Sequence, residues 1–310
     1  MNTSLKVKWP SGCAKLIFLV IYIFLGSGCA PAKTLTDQRI EGSRNDYQIA
    51  HRTRNKDASE RHSYVYKDTP TRKLELYVYG IRQGNANKAA PTPVVVFFHG
   101  GAWARGEPDQ FLKQVNFLSR HGLVAITVDY RLKGRDNTSP FEALQDAKSA
   151  IRWVRQNAAN LNIDPNKLIA AGGSAGGQLA VATAIVDDDN DPQDDLKISA
   201  APDAIILFNP VLDLVKWQKT FNMDLMPISP LQKMNKPLPP TIIFHGTADS
   251  IAPFSVTEAF VAKARQLGTK QIELLAYPNR THGFFNKEGK DKDLSTTLAE
   301  SYVFIQSLHW

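Results

Sequence analysis

The sequence predicts an α/β protein with a mostly parallel central sheet that helices cover on both faces. Two observations lead to this prediction. Short, continuous apolar runs such as VVVFF and AIILF alternate with longer segments whose apolar residues recur at helical spacing. Continuous apolar runs are typical of parallel strands that are buried on both faces. The alternation of the two patterns indicates β–α–β units rather than separate all-β and all-α regions.

The predicted elements begin near Tyr64 and continue toward the C-terminus. Strands are predicted at 74–79, 93–98, 123–130, 167–173, 204–210, 241–246 and 271–277, and helices at 109–121, 139–161, 175–186 and 255–268. Gly122 follows the first helix in the position of a cap. The proline-containing stretch at 215–240 is predicted to be a short irregular insertion before the strand at 241–246. The acidic stretch at 187–195 lacks the glycine and glutamate of a calcium-binding EF-hand loop and is predicted to be a solvated turn.

The N-terminal residues have the pattern of an export signal. Lys6, Lys8 and Lys15 precede an apolar run at 16–25, and small residues follow it. The run is shorter than the roughly 20 apolar residues of a membrane span, although an uncleaved N-terminal anchor is the alternative. We therefore expect an export signal at 1–29, a polar tether at 30–63 and the folded domain at 64–310.

Cys29 is the candidate for a membrane attachment. The stretch LGSGC ending at Cys29 resembles the lipobox of bacterial lipoproteins, in which the cysteine receives the lipid, but it has Gly26 where an aliphatic residue is usual. Cleavage after Ala32, in the A-x-A sequence APA, is the competing interpretation. Either interpretation predicts an exported protein of the periplasm or cell envelope, and the first adds attachment to the membrane through an N-terminal lipid.

Composition excludes several chemistries. The two cysteines, Cys13 and Cys29, lie in or beside the export signal, so the predicted domain has no disulfide, thiol nucleophile or thiolate metal site. The formal net charge of +7 is moderate, and no zinc-finger spacing or other nucleic-acid motif accompanies it. We therefore expect no nucleic-acid partner, and nothing in the sequence implies a metal or another cofactor.

The stretch AAGGSAGGQLA at 170–180 raises the central chemical question. Glycines between a strand and a helix can hold a phosphate or can surround a nucleophile. The spacing fits neither G-x-G-x-x-G nor a Walker loop, which needs a lysine after the last glycine. It does fit G-x-S-x-G, in which a serine lies on a sharp turn between a strand and a helix. Ser174 is therefore predicted to be a nucleophile.

A serine hydroxyl needs a base to take its proton, and the base needs an acid to orient it. His282 lies in a loop after the last predicted strand, and Asp249 lies between a strand and a helix. Together with Ser174 these residues follow the chain order serine, acid, histidine, which is one of the known triad orders. Asp213, one strand earlier, is the rival for the acid.

The loop FFHGGAW at 97–103 is predicted to supply an oxyanion hole. Gly100 and Gly101 follow a buried strand and leave their amide N–H groups unobstructed, and the amide of Ala175 follows the nucleophile. His99 is predicted to order this loop rather than to act as the base. Trp103 is a candidate for the substrate pocket, with packing in the core as the alternative.

The motifs HGGAW, DYRL, GGSAGGQLA, HGTAD and THGFF resemble, in order and spacing, those of α/β-hydrolase esterases of the hormone-sensitive-lipase-like group. The resemblance covers residue 64 to the C-terminus and is greatest to bacterial carbohydrate esterases of the acetyl-xylan and feruloyl kind. It departs from many members at Ala102, where a third glycine is usual, and at Gly173, where Asp or His is frequent.

The resemblance implies an α/β-hydrolase catalytic domain at 64–310 and a serine carboxylesterase that acts on short-chain, acetyl-type esters of small molecules or polysaccharides. Two alternatives remain open. One is an amidase, formamidase or peptidase of the same fold. The other, from a different functional class, is an inactive binding protein anchored in the envelope.

Overall fold

The computed structural model describes residues 60–81, 90–287 and 292–310. The predicted export signal, Cys29, Ala32 and nearly all of the predicted tether lie outside these residues. The first strand begins at His62, two residues before the predicted start of the domain. Within the described ranges, no helix is both long and apolar enough to span a membrane.

A single eight-stranded sheet organises the described residues. Its strands are β1 (His62–Asp68), β2 (Lys73–Tyr79), β3 (Thr92–Phe98), β4 (Val124–Val128), β5 (Ile163–Gly173), β6 (Ala204–Phe208), β7 (Thr241–Gly246) and β8 (Ile272–Tyr277). They lie in the order β1-β2-β4-β3-β5-β6-β7-β8. β2 pairs antiparallel with β1 and β4, and all pairs from β4 to β8 are parallel. The prediction of a mostly parallel sheet is confirmed.

Helices lie on both faces of the sheet, as predicted. They are α1 (Leu112–Arg120), α2 (Lys133–Asp136), α3 (Pro140–Gln156), α4 (Ala158–Leu161), α5 (Ala175–Ile185), α6 (Val215–Phe221), α7 (Pro230–Lys233), α8 (Phe254–Gln266) and α9 (Asp293–Ser307). Short 3₁₀ turns occupy Pro108–Phe111, Met226–Ile228 and Phe284–Asn286.

The alternation of side chains along β3 shows how the two faces are covered. Val94, Val96 and Phe98 lie in the core cluster that α3, α5 and α8 cover. Val95 and Phe97 lie in the cluster that α1 and α9 cover. Successive side chains of a strand point to opposite faces, so a strand buried on both faces must be apolar throughout.

The predicted insertion at 215–240 contains α6, α7 and a 3₁₀ turn rather than only irregular chain. It is fixed to the helix after the G-x-S-x-G turn, because Gln178 Nε2 donates a hydrogen bond to the Ile228 carbonyl over 2.9 Å. The Phe221 ring packs edge-on against Trp103. The insertion therefore forms one wall beside the carboxyl edge of the sheet.

Candidate active site

The predicted site residues converge at the carboxyl edge of the parallel strands. Ser174 follows β5, Asp249 lies three residues after β7, and His282 lies five residues after β8. The glycines of the predicted oxyanion loop follow β3. Because parallel strands end at the same edge, residues far apart in sequence meet there, which is the usual place for a ligand site in an open α/β sheet.

Ser174 occupies a strained backbone conformation. Its φ of 55° and ψ of −120° lie outside the regions that side chains normally allow. The turn is held by backbone hydrogen bonds to the end of β6 and to the loop after it: the Ser174 amide donates to Phe208 O over 3.0 Å, and Ser174 O accepts from the Val211 amide over 3.1 Å. A Cβ on Gly176 would lie 2.0 Å from Phe98 O, so only glycine permits this approach of α5 to β3.

A continuous hydrogen-bonded chain joins the three predicted triad residues. Ser174 Oγ lies 2.8 Å from His282 Nε2, and His282 Nδ1 lies 2.7 Å from Asp249 Oδ2. An ionised carboxylate can only accept hydrogen bonds, so the Nδ1 atom carries the proton of a neutral imidazole. The Nε2 lone pair then faces the serine hydroxyl, which is the arrangement that a general base requires.

The Asp249 side chain is fully buried and its carboxylate is saturated with donors. Its Oδ1 accepts from the amides of Ile251 and Ala252, each over 2.9 Å. Burial raises its pKa, but hydrogen bonds from His245, His282 and the Ala252 amide outweigh that effect, and the pKa lies well below its ordinary value. Asp249 is therefore ionised at neutral pH. The rival Asp213 instead accepts from the Val215 amide and Gln232.

The predicted oxyanion donors differ in their availability. The Gly100 amide donates to Gln110 Oε1 over 2.6 Å, so it already has a partner. The amides of Gly101 and Ala175 have no acceptor within the described residues. Gly100 nonetheless lies directly beside the nucleophile, since a Cβ on it would be 3.2 Å from the Ser174 Cβ. The Gln110 carboxamide thus holds a donor that a substrate carbonyl would otherwise use.

Trp103 does not line the cleft, in contrast to the prediction. It is fully buried, its Nε1 donates to Gln178 Oε1 over 3.0 Å, and its ring packs edge-on against Trp217. Ala102 and Trp103 both have left-handed backbone conformations, with φ of 56° and 54°. This conformation turns the Trp103 indole into the core, and Trp217 is the indole that lines the cleft among the described residues.

His99 lies beneath the oxyanion loop, as the sequence predicts for a residue that orders it. It is fully buried, stacks on Tyr130 with ring centroids 4.2 Å apart, and its Nδ1–H donates to Gly100 O over 2.8 Å. Its Nε2 atom is buried with no hydrogen-bond partner among the described residues. Burial lowers the pKa of His99 from 6.5 to about 4.

We expect His99 to make the fold acid-sensitive. Between pH 6.5 and about 4 the unfolded chain binds a proton at this histidine and the folded chain does not. The free energy of unfolding therefore falls as pH falls through this window, by about 3 kcal/mol from this group. His99→Asn, which keeps a donor toward Gly100 O, removes that dependence. Denaturant unfolding of the wild-type protein and of His99→Asn at pH 7 and pH 4 measures this dependence. If the free energy of unfolding falls equally in both proteins between the two pH values, this role of His99 is contradicted.

Several site residues, including Asn209 and His245, were not predicted from the sequence. Asn209 Oδ1 accepts from the Gly283 amide over 3.0 Å, and its Nδ2 lies 3.5 Å from His282 Nε2, so it fixes the histidine loop. His245 Nε2 lies 3.4 Å from Asp249 Oδ2 and 2.8 Å from Ala252 O, behind the acid. Asn209 is a polar residue at the end of an apolar run, and that position is a signal that could have identified it.

These residues surround an open cavity of about 220 Å³. Its lining is Gly100, Gly101, Ala102, Arg105, Gln110, Gly173, Ser174, Asn209, Trp217, Ile251, His282, Gly283, Phe285 and Asn286. A second, more apolar cavity of about 230 Å³ shares Ile251 with it. Lys216 Nζ donates to the Ile251 carbonyl between the two.

Comparison with known proteins agrees with this fold. Residues 83–227 match the BD-FAE family model, and residues 206–305 match that of the prolyl oligopeptidase family. Esterase 2 of Thermogutta terrifontis, in its apo form, is 38% identical, with a TM-score of 0.75 over 80% of this chain and 94% of that one. The chain belongs to the α/β-hydrolase esterases of the hormone-sensitive-lipase-like group.

Two more distant relatives are esterases of a mycobacterium. Esterase LipC of Mycobacterium tuberculosis is 27% identical over 72% of this chain and 60% of its own length. Esterase LipQ of the same organism is 28% identical over 68% of this chain and 53% of its own length. The chain thus spans between half and three-fifths of the length of these two curated relatives.

Proposed function

We propose that the protein is a serine carboxylesterase. The observation that carries the proposal is the hydrogen-bonded chain from Asp249 through His282 to Ser174, which ends at a strained serine beside free amide donors. Each part has a role in acyl transfer. The base activates the hydroxyl, the acid fixes the tautomer of the base, and amide donors stabilise the charge that develops on the carbonyl oxygen.

The proposed reaction has two steps. Ser174 Oγ bonds to the acyl carbon while its proton moves to His282 Nε2, and the bond to the alcohol oxygen breaks as His282 returns that proton to it. Water then attacks the acyl-enzyme with His282 as base, which releases the carboxylic acid and restores the serine. The amides of Gly101 and Ala175 bind the oxyanion, and the Gly100 amide joins them when Gln110 releases it.

We propose short acyl groups, acetyl in particular, as the preferred substrates. The cavity beside Ser174 is about 220 Å³, below the range of typical drug-sized ligand sites, and Phe285 closes in on Gly173 beneath the nucleophile. Structures of the Thermogutta esterase have been solved with propionate and with butyrate bound. Acetylated polysaccharide remains our proposal for the natural substrate, and it rests on the resemblance to carbohydrate esterases and the predicted export.

A second candidate function is amide or peptide hydrolysis. It is favoured by the match of residues 206–305, which include Asp249 and His282, to the prolyl oligopeptidase family. The same groups would serve both reactions, because His282 can protonate a leaving amine as well as a leaving alkoxide. The two functions differ in the substrates that the purified protein hydrolyses.

A panel of substrates separates the short-chain ester, amide or peptide, and polysaccharide proposals. The panel contains 4-nitrophenyl esters of increasing chain length, aryl amides, a prolyl peptide and acetylated xylan. We expect kcat/KM to be greatest for esters from acetate to butyrate and to fall by at least tenfold at decanoate. The reason is that the cavity is small and the added methylene groups of a long acyl chain extend beyond it. Greatest activity on decanoate would contradict the short-chain proposal, and turnover of amides or peptides at rates equal to esters would favour the second function. Release of acetate from xylan tests the polysaccharide proposal.

We also propose that the protein is exported and attached to the cell envelope through Cys29. The proposal rests on the sequence pattern of residues 1–29, with cleavage after Ala32 as the alternative. Labelled palmitate fed to expressing bacteria should enter the wild-type protein and not Cys29→Ala. Equal labelling of the two proteins, or none in either, would contradict attachment at this residue.

A further inference from the structure

Arg105, a residue that lines the candidate active-site cleft, has no acidic partner among the described residues. Arg105 is exposed and lines the same cavity as Ser174 and His282. Its side chain has no hydrogen bond or ion pair among the described residues. The nearest acids along the chain engage other cations: Glu107 lies 4.0 Å from Arg135, and Asp109 lies 3.4 Å from Arg61.

Arg105, Arg120 and Arg265 are the described arginines with no carboxylate within 4.0 Å, and Arg105 is the one of these three that lines the cavity. Seven other described arginines each have a carboxylate within 4.0 Å, namely Arg61, Arg72, Arg131, Arg135, Arg152, Arg155 and Arg280. The cavity lining itself contains no carboxylate, because Asp249 lies buried behind His282. Arg105 is therefore the one permanently charged side chain among the residues that line the cleft.

The backbone places Arg105 on the loop that carries the proposed oxyanion donors. The amides of Ala104 and Arg105 both donate to Gly101 O over 3.1 Å, which closes a tight turn. Ala102 and Trp103 hold two consecutive left-handed conformations in that turn. Such strain persists only where surrounding contacts over-determine it, and here the buried Trp103 indole anchors it. The position of the Arg105 backbone is thus fixed relative to the oxyanion site.

We propose that Arg105 is a specificity-determining residue and that the preferred ester carries an anionic group, a carboxylate or a phosphate, on its acyl or its alcohol part. The inference rests on the proposed esterase function. Guanidinium groups bind carboxylates and phosphates through paired N–H donors, and in a cleft without competing acids the anion of the substrate supplies the missing partner.

Two pairs of synthetic esters test this proposal and separate the two positions of the anion. Mono-4-nitrophenyl adipate and its methyl ester differ in charge on the acyl side, and 4-acetoxybenzoate and its methyl ester differ on the alcohol side. The readout is the ratio of kcat/KM for the anionic ester to that for its neutral counterpart, divided by the same ratio for background hydrolysis in buffer, because the carboxylate and the methyl ester change the acidity of the leaving group differently. In the wild-type protein we expect a ratio of about three to ten in one of the pairs, carried by a lower KM and reduced by added NaCl.

Variants assign the preference to Arg105. Arg105→Gln should bring the ratio to about one, and Arg105→Lys should keep part of it. Arg120→Gln, which removes an equal charge from the end of α1 and outside the cavity lining, should keep the wild-type ratio. A ratio of one or less in both pairs, or a preference that survives in Arg105→Gln, overturns the inference. Failure of the wild-type protein to hydrolyse even the neutral esters would instead overturn the proposed esterase function.

Discussion

Ser174→Ala should reduce kcat for 4-nitrophenyl acetate by a factor on the order of 10⁴ to 10⁶. The substitution removes the atom that would bond to the acyl carbon, and the amide donors alone leave only the residual catalysis of an oxyanion site. Because triad residues act as a unit, adding His282→Ala to this variant should cost little more. Steady-state hydrolysis measures both effects. The protein concentration is determined by a method that does not depend on a functional active site.

The control for this prediction is Ser255→Ala, which removes an exposed hydroxyl near the start of α8. It should keep wild-type kcat within about twofold, as is usual for surface substitutions. Circular dichroism should show that both variants are folded. A folded Ser174→Ala protein that retains more than a tenth of the wild-type kcat would contradict a nucleophilic role for this serine.

Asp249→Asn should reduce kcat by a factor of about 10⁴ without unfolding the protein, for a reason specific to this site. The amides of Ile251 and Ala252 both donate to Oδ1, so an asparagine will direct its carbonyl oxygen to them. Its NH₂ group then faces His282 Nδ1, which must accept rather than donate. The imidazole proton moves to Nε2 and removes the lone pair that the Ser174 hydroxyl needs.

Asp213→Asn is the matched control for that substitution, because it makes the same chemical change at the rival acid. Asp213 accepts from the Val215 amide and Gln232 rather than from His282. We expect kcat to change by less than about threefold. Equal loss of activity in the two variants, or a greater loss in Asp213→Asn, would contradict the assignment of Asp249 as the orienting acid.

The sequence predicted the sheet and the meeting of Ser174, Asp249 and His282 because each depends on a strong local signal. Buried parallel strands must be continuously apolar, and a G-x-S-x-G turn between a strand and a helix has few alternative structures. β1 was not predicted, because HSYVYKD is an edge strand with polar residues that reach solvent. The helix at 139–161 was predicted as one element, and the structure divides it at Asn157.

The missed parts of the site depend on contacts that no local pattern encodes. Gln110 lies in the 3₁₀ segment Pro108–Phe111, and its side chain reaches back over the turn at 101–105 in sequence to the Gly100 amide. Trp103 was predicted as a candidate for the pocket, with core packing as the alternative, and the left-handed conformations of Ala102 and Trp103 direct it into the core. The backbone conformation there, rather than the residue type, determines which side chain lines the cleft.

Ser174, activated by His282, should form a covalent bond with an acyl or phosphoryl group. The Thermogutta esterase has been solved phosphorylated by paraoxon, and this reagent tests the claim most directly. Mass spectrometry of the paraoxon-treated wild-type protein should show one added diethylphosphoryl group on the peptide that contains Ser174. The adduct should be absent in Ser174→Ala and form much more slowly in His282→Ala. An active wild-type protein that gains no adduct, or gains it on another residue, would contradict the claim.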